Sequence, residues 1–160
     1  MVISAKGKVA GAEAVGPPPV ATSALVVDDN PVNLKLTQVL LAGEGYSVRV
    51  AKDGPSALQM LETFVPQVIL LDIGMPGMNG FELARRLASH PRRCEFIVIA
   101  VTAFAMKGDD ERAIAAGCDG YVSKPIDPDS LIRTITERLA AAARQVRAGS
   151  RARESRDSSS

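Results

Sequence analysis

Five polar residues in this sequence follow short apolar runs, and their types suit phosphoryl chemistry. They are Asp28 and Asp29 after Leu25–Val27, Asp72 after Val68–Leu71, Thr102 after Phe96–Val101, and Lys124 shortly after Gly120–Val122. A polar residue is common where a strand meets a loop, so each position alone is weak support for a site. Their joint placement after four separate runs is much harder to attribute to chance.

Three of these residues are carboxylates, and they can stay ionised together only with a cation among them. Two such charges about 4 Å apart repel by about 4 kcal/mol at an effective dielectric near 20. An oxygen-rich set with few protein ligands suits Mg²⁺, which keeps several waters and recruits phosphate oxygens. Lys124 and Thr102 would suit the oxygens of a transferring phosphoryl group, and an Asp can itself be the covalent acceptor. The residues therefore predict a Mg²⁺-assisted phosphoryl site with an Asp acceptor.

The apolar runs that precede these residues read as strands that alternate with helical patterns. Tyr46–Val50 adds a half-polar run suited to a sheet edge. The first helical pattern has apolar residues at i, i+4, i+7 and i+8, and the last starts at Asp127, the predicted N-cap, with Pro128 as first helical residue. Five strands alternating with five helices, at about 23 residues per unit, predict an α/β fold with a parallel sheet. Ligands of such sheets bind beyond the carboxyl ends of the strands, where the polar residues stand.

Charge and composition exclude several classes of function. The chain has 160 residues, with 19 Lys and Arg against 18 Asp and Glu, so no charge imbalance indicates nucleic acid or an acidic membrane as a partner. Its longest strongly apolar stretch, Phe96–Val101, is far shorter than the roughly 20 residues of a membrane span. Two cysteines make neither a disulfide framework nor a metal cluster. We therefore expect a cytoplasmic protein with no nucleic-acid or membrane partner.

The chain divides into three segments by composition. Residues 1–23 are small and broken by three consecutive prolines, which predicts a flexible arm. Residues 24–142 carry all the strand and helix patterns and form the predicted folded domain. Residues 143–160 are rich in Arg and Ser and predict a disordered tail.

Four motifs together resemble the receiver domain of two-component response regulators. They are Val26-Val27-Asp28-Asp29-Asn30, the stretch Leu70-Leu71-Asp72-Ile73-Gly74-Met75-Pro76-Gly77-Met78-Asn79-Gly80, Ala100-Val101-Thr102-Ala103, and Tyr121-Val122-Ser123-Lys124-Pro125. All five signature positions are filled, and the match spans about 24–142. The segment Val101–Ile126 further resembles the DivK group of single-domain cell-cycle regulators, and receivers attached to hybrid histidine kinases have very similar stretches.

This resemblance implies a single doubly wound (βα)₅ flavodoxin-like domain whose sheet has the strand order 2-1-3-4-5. It implies that Asp72 accepts the phosphoryl group and that Mg²⁺ is held by Asp29, by Asp28 through water, by Asp72 and by the backbone carbonyl of Gly74. Lys124 would pair with the phosphoryl group.

The resemblance also implies a route for the signal. Thr102 and Tyr121 would form the switch pair, and the Lys124–Pro125 bond is expected to be cis. The phosphoryl donor would be a sensor histidine kinase or a histidine phosphotransfer protein. A downstream effector or kinase would read a face made of residues 105–116 and 119–139. A monomer or a weak homodimer is expected.

Three alternatives remain beside a stand-alone phosphorylated switch or phosphorelay carrier. The chain could be a receiver module excised from a hybrid histidine kinase. A phosphatase of the haloacid-dehalogenase type would need an acidic residue two positions after its nucleophile, where Gly74 stands. A degenerate receiver is disfavoured because no signature residue is lost. The expected protein is therefore not an enzyme, beyond slow self-dephosphorylation.

Overall fold

The computed structural model describes residues 22–74, 80–102 and 108–157, with side chains except at 109–110 and 146–157. The strands are β1 (Ser23–Val27), β2 (Ser47–Ala51), β3 (Val68–Asp72), β4 (Ile97–Thr102) and β5 (Gly120–Ser123). The helices are α1 (Pro31–Gly43), α2 (Gly54–Met60), α3 (Gly80–Ala88), α4 (Asp109–Ala115) and α5 (Pro128–Asp157), with a 3₁₀ turn at Arg93–Glu95.

The strands form one parallel sheet in the order β2-β1-β3-β4-β5. This confirms the predicted parallel α/β sheet and the order 2-1-3-4-5 that the resemblance implies. β3 and β4 are buried along their whole length, which explains their continuous apolar sequences. β2 lies at an edge, and its burial alternates as its half-polar sequence requires.

Alternate side chains of the central strands enter two separate cores, one on each face of the sheet. One core contains Leu25, Ile69 and Leu71 and is covered by α2, α3 and α4. The other contains Val26 and Leu70 and is covered by α1 and α5. The sheet is therefore covered by helices on both faces.

Capping side chains set where the helices begin. Asn30 accepts hydrogen bonds from the backbone N–H of Val32 (2.9 Å) and of Asn33 (3.2 Å) at the start of α1. Asp127 accepts one from Ser130 N–H at 3.2 Å, so the predicted start of α5 is confirmed. The Asn30 cap holds the loop after β1, which carries Asp28 and Asp29, against the first turn of α1.

The side of helix α1 that packs on the sheet is not the side on which most of its apolar pattern lies. Val32, Leu36 and Val39 are 63%, 63% and 57% exposed, whereas Thr37 and Leu41 are buried. The predicted helix is confirmed, but these three residues of its apolar pattern lie on its exposed side. Leu40, the fourth residue of the pattern, packs partly against the core.

Helix α5 runs on to Asp157, so its backbone continues through most of the Arg- and Ser-rich segment 143–160. Ala140–Ala143 and the Arg and Gln residues that follow are strong helix formers, and they extend a helix that packing has already nucleated. At 30 residues the helix is about 45 Å long. The predicted arm lies outside the described residues up to position 21, as do residues 158–160. Within the described ranges, no helix is both long enough and apolar enough to cross a membrane.

Candidate functional site

Three carboxylates meet at the carboxyl edge of the sheet, at the ends of the adjacent strands β1 and β3. Val27 of β1 is in register with Leu71 of β3, so Asp28 and Asp72 leave the sheet at the same level. One carboxylate oxygen from each of Asp28, Asp29 and Asp72 lies within 4.8 Å of the others. Asp28 and Asp72 are buried and Asp29 is exposed. The predicted convergence of these three residues is thus present in the structure.

Lys124 supplies the positive charge that faces this cluster. Its Nζ lies 3.2 Å from Asp28 Oδ2 and 3.5 Å from Asp72 Oδ2. Its backbone N–H donates to Thr102 carbonyl oxygen at 2.7 Å, which ties the loop after β5 to the end of β4. The Lys124–Pro125 peptide bond is cis.

Asp72 is held by local hydrogen bonds in a buried setting. Its Oδ1 accepts the backbone N–H of Gly74 at 3.0 Å. Burial raises the pKa of Asp72 above its ordinary value, repulsion from Asp28 adds to this, and the Gly74 and Lys124 contacts oppose it. The ionised site is therefore electrostatically unfavourable on its own, which is the condition that a bound cation relieves.

The set of donors fits Mg²⁺. Three carboxylate oxygens within reach of one ion, one of them on an exposed residue, leave room for the waters that Mg²⁺ retains. Asp28 Oδ1 accepts from Asn30 N–H at 2.9 Å and its Oδ2 from Lys124, and both oxygens of Asp72 also have contacts, to Gly74 N–H and Lys124. The exposed Asp29 is therefore the carboxylate best placed to act as a direct ligand.

The remaining candidate residues lie on the neighbouring strands. Thr102 ends β4 and is 4% exposed, and its register partner on β5 is Ser123. Tyr121 lies half-buried on β5, beside Ala100 of β4. Residues 75–79 and 103–107 fall outside the described residues, and with them the first part of the predicted 105–116 face. The described part of that segment is Gly108, at a φ of +99°, followed by α4.

One residue at this edge escaped the sequence analysis. Thr37 of α1 is 7% exposed and lines the same cavity as Asp28 and Ile126. No composition or spacing rule distinguishes a buried helical threonine from an exposed one. The sequence offered one indication of its burial. Thr37 is four residues before Leu41 and five after Val32, which places it beside Leu41 and away from Val32 on the helix surface.

Comparisons with known proteins agree on one family. The model of the response regulator receiver domain family matches residues 24–136. The polar-differentiation response regulator DivK of Brucella anthropi is 40% identical over 117 residues, which is 73% of this chain and 95% of DivK.

Solved structures show the same fold. A CheY-like receiver domain protein from Methanospirillum hungatei superposes with a TM-score of 0.70 at 31% identity, over 78% of this chain and 98% of that one. The receiver domain of a sensor histidine kinase from Pseudomonas aeruginosa gives 0.69 at 30% identity, over 76% and 99%. That structure holds a magnesium ion in its active-site cleft.

Proposed function

The chain belongs to the response regulator receiver domain family, and from this premise we propose that it accepts a phosphoryl group on Asp72 from the phosphohistidine of a sensor kinase or histidine phosphotransfer protein. The observation that carries the proposal is the cluster of three carboxylates with Lys124 3.5 Å from the acceptor oxygen. A cytoplasmic location follows from this donor class, because ATP-dependent kinases form phosphohistidine there.

The chemistry assigns each residue a separate task. An oxygen of Asp72 forms the new O–P bond while the P–N bond of the donor breaks and its electron pair returns to the imidazole. Lys124 turns from its carboxylate partners to the phosphoryl oxygens, and the Thr102 hydroxyl donates to another of them. Asp28, Asp29, Asp72 and the Gly74 carbonyl would hold Mg²⁺. When bound, the ion neutralises charge on the phosphoryl group.

The direct test is a phosphotransfer profile. Each candidate histidine kinase, phosphorylated on its histidine, is mixed with this protein, and the transfer of label is followed over time. We expect one kinase or phosphotransfer protein to transfer label much faster than the rest, and the label to be acid-labile. A label with the acid stability of phosphoserine would contradict an aspartyl phosphate.

Replacing Asp29 by Ala is expected to weaken Mg²⁺ binding at least about tenfold, because an exposed, direct carboxylate ligand is lost. Isothermal titration without any phosphoryl donor measures the affinity. Asp53→Ala is the matched control, since this aspartate caps α2 through Ser56 N–H and lies outside the cluster. Equal Mg²⁺ affinity in the wild type and in Asp29→Ala would remove Asp29 from the ligand set.

Thr102 and Tyr121 would transmit the effect of phosphorylation from Asp72 to the surface. A phosphoryl group on Asp72 adds three acceptor oxygens near Thr102. The hydroxyl moves to reach one of them, and the ring of Tyr121 turns into the space beside it. This local change biases an equilibrium between two arrangements of the 105–116 and 119–139 face, which downstream effectors or kinases read.

Replacing Thr102 by Ala is therefore expected to keep phosphorylation within a few-fold of wild type while the response of the face is lost. Amide shifts on adding beryllofluoride, a phosphoryl mimic, report that response. We expect wild-type shifts across 108–110 and 119–139 and small shifts there in Thr102→Ala. Equal shifts in both proteins would mean that the signal travels by another route.

Two alternatives are weighed against this function. A haloacid-dehalogenase phosphatase lacks its general acid here, because Gly74 occupies the required position. A receiver that works inside a hybrid histidine kinase is supported by the similarity to the Pseudomonas kinase receiver. Either receiver would take its label on Asp72, so the phosphotransfer profile tests the chemistry that the two cases share.

A further inference from the structure

Helix α4 buries little apolar surface against the body of the domain. Among its described side chains and its C-cap, the buried ones are the small Ala113 and Ala116, while the larger Ile114 is 53% exposed. Its N-cap is Gly108, which has no side chain to accept the N–H groups of the first turn. A helix of seven residues depends on tertiary packing for its stability. Contacts made by its longer side chains therefore have a large influence on where α4 lies.

One such contact joins α4 to α3. Arg112 Cζ of α4 lies 4.3 Å from the centroid of the Phe81 ring of α3. A guanidinium within about 6 Å of a ring centroid is attracted by the negative face of the ring. Phe81 is half-buried and packs against the core beneath the two helices, whereas Arg112 is exposed. The Arg112–Phe81 pair thus connects an exposed residue of α4 to a ring that the core holds in place.

Helix α3 is itself fixed to the strand that carries the acceptor. Gly80, the residue before Phe81, donates its N–H to the Ile73 carbonyl at 3.1 Å. A Cβ at Gly80 would lie 2.3 Å from Ile73 Cα, so the backbone of α3 is in direct contact with the chain that leaves β3. Phe81 therefore keeps its place relative to Asp72, and Arg112 is the partner that can be displaced.

Helix α4 is also the first helix after the proposed switch residue Thr102. Five residues separate Thr102, at the end of β4, from Gly108. A movement of Thr102 toward a phosphoryl group is passed along this short stretch of chain to α4. Because the attraction of a ring for a cation fades beyond about 6 Å, a displacement of Arg112 by about 2 Å would remove most of it.

We propose that the Arg112–Phe81 pair stabilises the unphosphorylated position of α4 and so opposes the change that phosphorylation drives. The inference rests on the proposed function and adds the contact that sets how readily the switch responds. A contact present in one arrangement alone favours it by a fixed factor. The apparent affinity for a phosphoryl mimic, which favours the other arrangement, falls by the same factor.

Hydrogen exchange of the α4 amides, without Mg²⁺ or a phosphoryl donor, tests whether the pair holds the helix. The Ala116 N–H donates to the Arg112 carbonyl at 3.0 Å and reports the opening of α4. Phe81→Leu removes the ring, keeps an apolar side chain over the core and leaves the sequence of α4 unchanged. We expect the Ala116 amide to exchange about two- to fivefold faster in this variant, the size of one exposed cation–π contact. The β3 amides show in the same experiment whether the whole domain has been destabilised.

Titration with beryllofluoride in the presence of Mg²⁺ tests whether the pair opposes the switch. Arg112→Gln, which changes an exposed residue, and Phe81→Leu are each expected to tighten beryllofluoride binding about two- to fivefold. The double variant is expected to bind no tighter than either single variant, because each change already removes the whole contact.

The chain contains a matched control pair at the opposite edge of the sheet. Arg49 of β2 lies with its Cζ 4.4 Å from the centroid of the Phe64 ring, and here too an exposed arginine covers a half-buried ring. The strand order places β2 farthest from β5 and from the face that α4 and α5 form with it. Arg49→Gln and Phe64→Leu should leave both the exchange of the Ala116 amide and the affinity for beryllofluoride unchanged.

Two results would overturn the proposal. One is beryllofluoride affinity in Arg112→Gln and Phe81→Leu that equals the wild-type affinity, and the other is an additive effect in the double variant, since the two side chains would then act separately. Failure of the proposed function has a different signature, because wild-type α4 amides would then not shift with beryllofluoride at all. The exchange measurement needs no phosphoryl group, and an unchanged Ala116 rate in Phe81→Leu would by itself show that the pair does not hold α4.

Discussion

Asp72→Asn is expected to lower phosphorylation by small donors such as acetyl phosphate or phosphoramidate, with Mg²⁺, at least about 100-fold, because the amide cannot replace the attacking carboxylate. Intact-protein mass spectrometry measures the result directly, as the loss of the 1:1 phosphorylated species. Lys124 stays beside the site in the variant, so the loss reports the nucleophile rather than the charge around it.

The stability of the same variant separates chemistry from unfolding. The folded protein holds the Asp72 proton more tightly than the unfolded chain, since the folded-state pKa is raised. Ionisation at neutral pH therefore lowers the free energy of unfolding, and removing the charge restores it. We expect Asp72→Asn to melt at or above the wild-type Tm at pH 7, with the difference shrinking as the pH falls toward the Asp72 pKa. Undiminished labelling in the variant would place the acceptor elsewhere, and Asp127→Asn, at the α5 cap outside the carboxylate cluster, is the control that should label normally.

Gly80→Ala is expected to lower the free energy of unfolding by about 3 kcal/mol, through overpacking of a closed contact. An added Cβ would lie 2.3 Å from Ile73 Cα and 2.6 Å from the Asp72 carbonyl oxygen, and both are backbone atoms that cannot turn aside. The Gly80 N–H also donates to the Ile73 carbonyl at 3.1 Å, so α3 and the end of β3 are joined at this point. Separating them moves Asp72, and we expect phosphorylation to fall together with stability.

Gly43→Ala is the matched control for Gly80→Ala. It also replaces a helical glycine, the last residue of α1, but its Cβ would have no atom within 4 Å. Urea denaturation should show an unchanged or slightly higher stability for this variant, since Ala favours the helix by up to about 1 kcal/mol. A Gly80→Ala protein as stable as Gly43→Ala would show that the contact between α3 and β3 can relax.

The sheet and the candidate site could be predicted because their signals are local. A strand buried on both faces must be apolar throughout, and the polar residue that ends it marks the edge where ligands bind, as Asp72 and Thr102 do.

The burial of α1 could not be predicted in this way. Its apolar period places Val32, Leu36 and Val39 on one side of the helix, yet these residues are exposed. Which side of α1 packs on the sheet depends on tertiary contacts in the core that it shares with α5, and the local period does not record them. Thr37 of the same helix is buried and lines the same cavity as Ile126, 89 positions away, a proximity that no local pattern records.

The ion pair between Lys124 and Asp28 joins positions 96 apart in the chain, and this separation has a consequence for biosynthesis. A ribosome adding about 5–20 residues per second needs roughly 3–10 s to pass from Asp72 to Lys124. During that interval the central strands can already pair, and the emerging chain brings its carboxylates together before their ammonium partner exists. Until Lys124 has been added, cations of the surrounding solution are the only counter-charge for these carboxylates. The site that holds a phosphoryl group is complete only when the last third of the domain has been made.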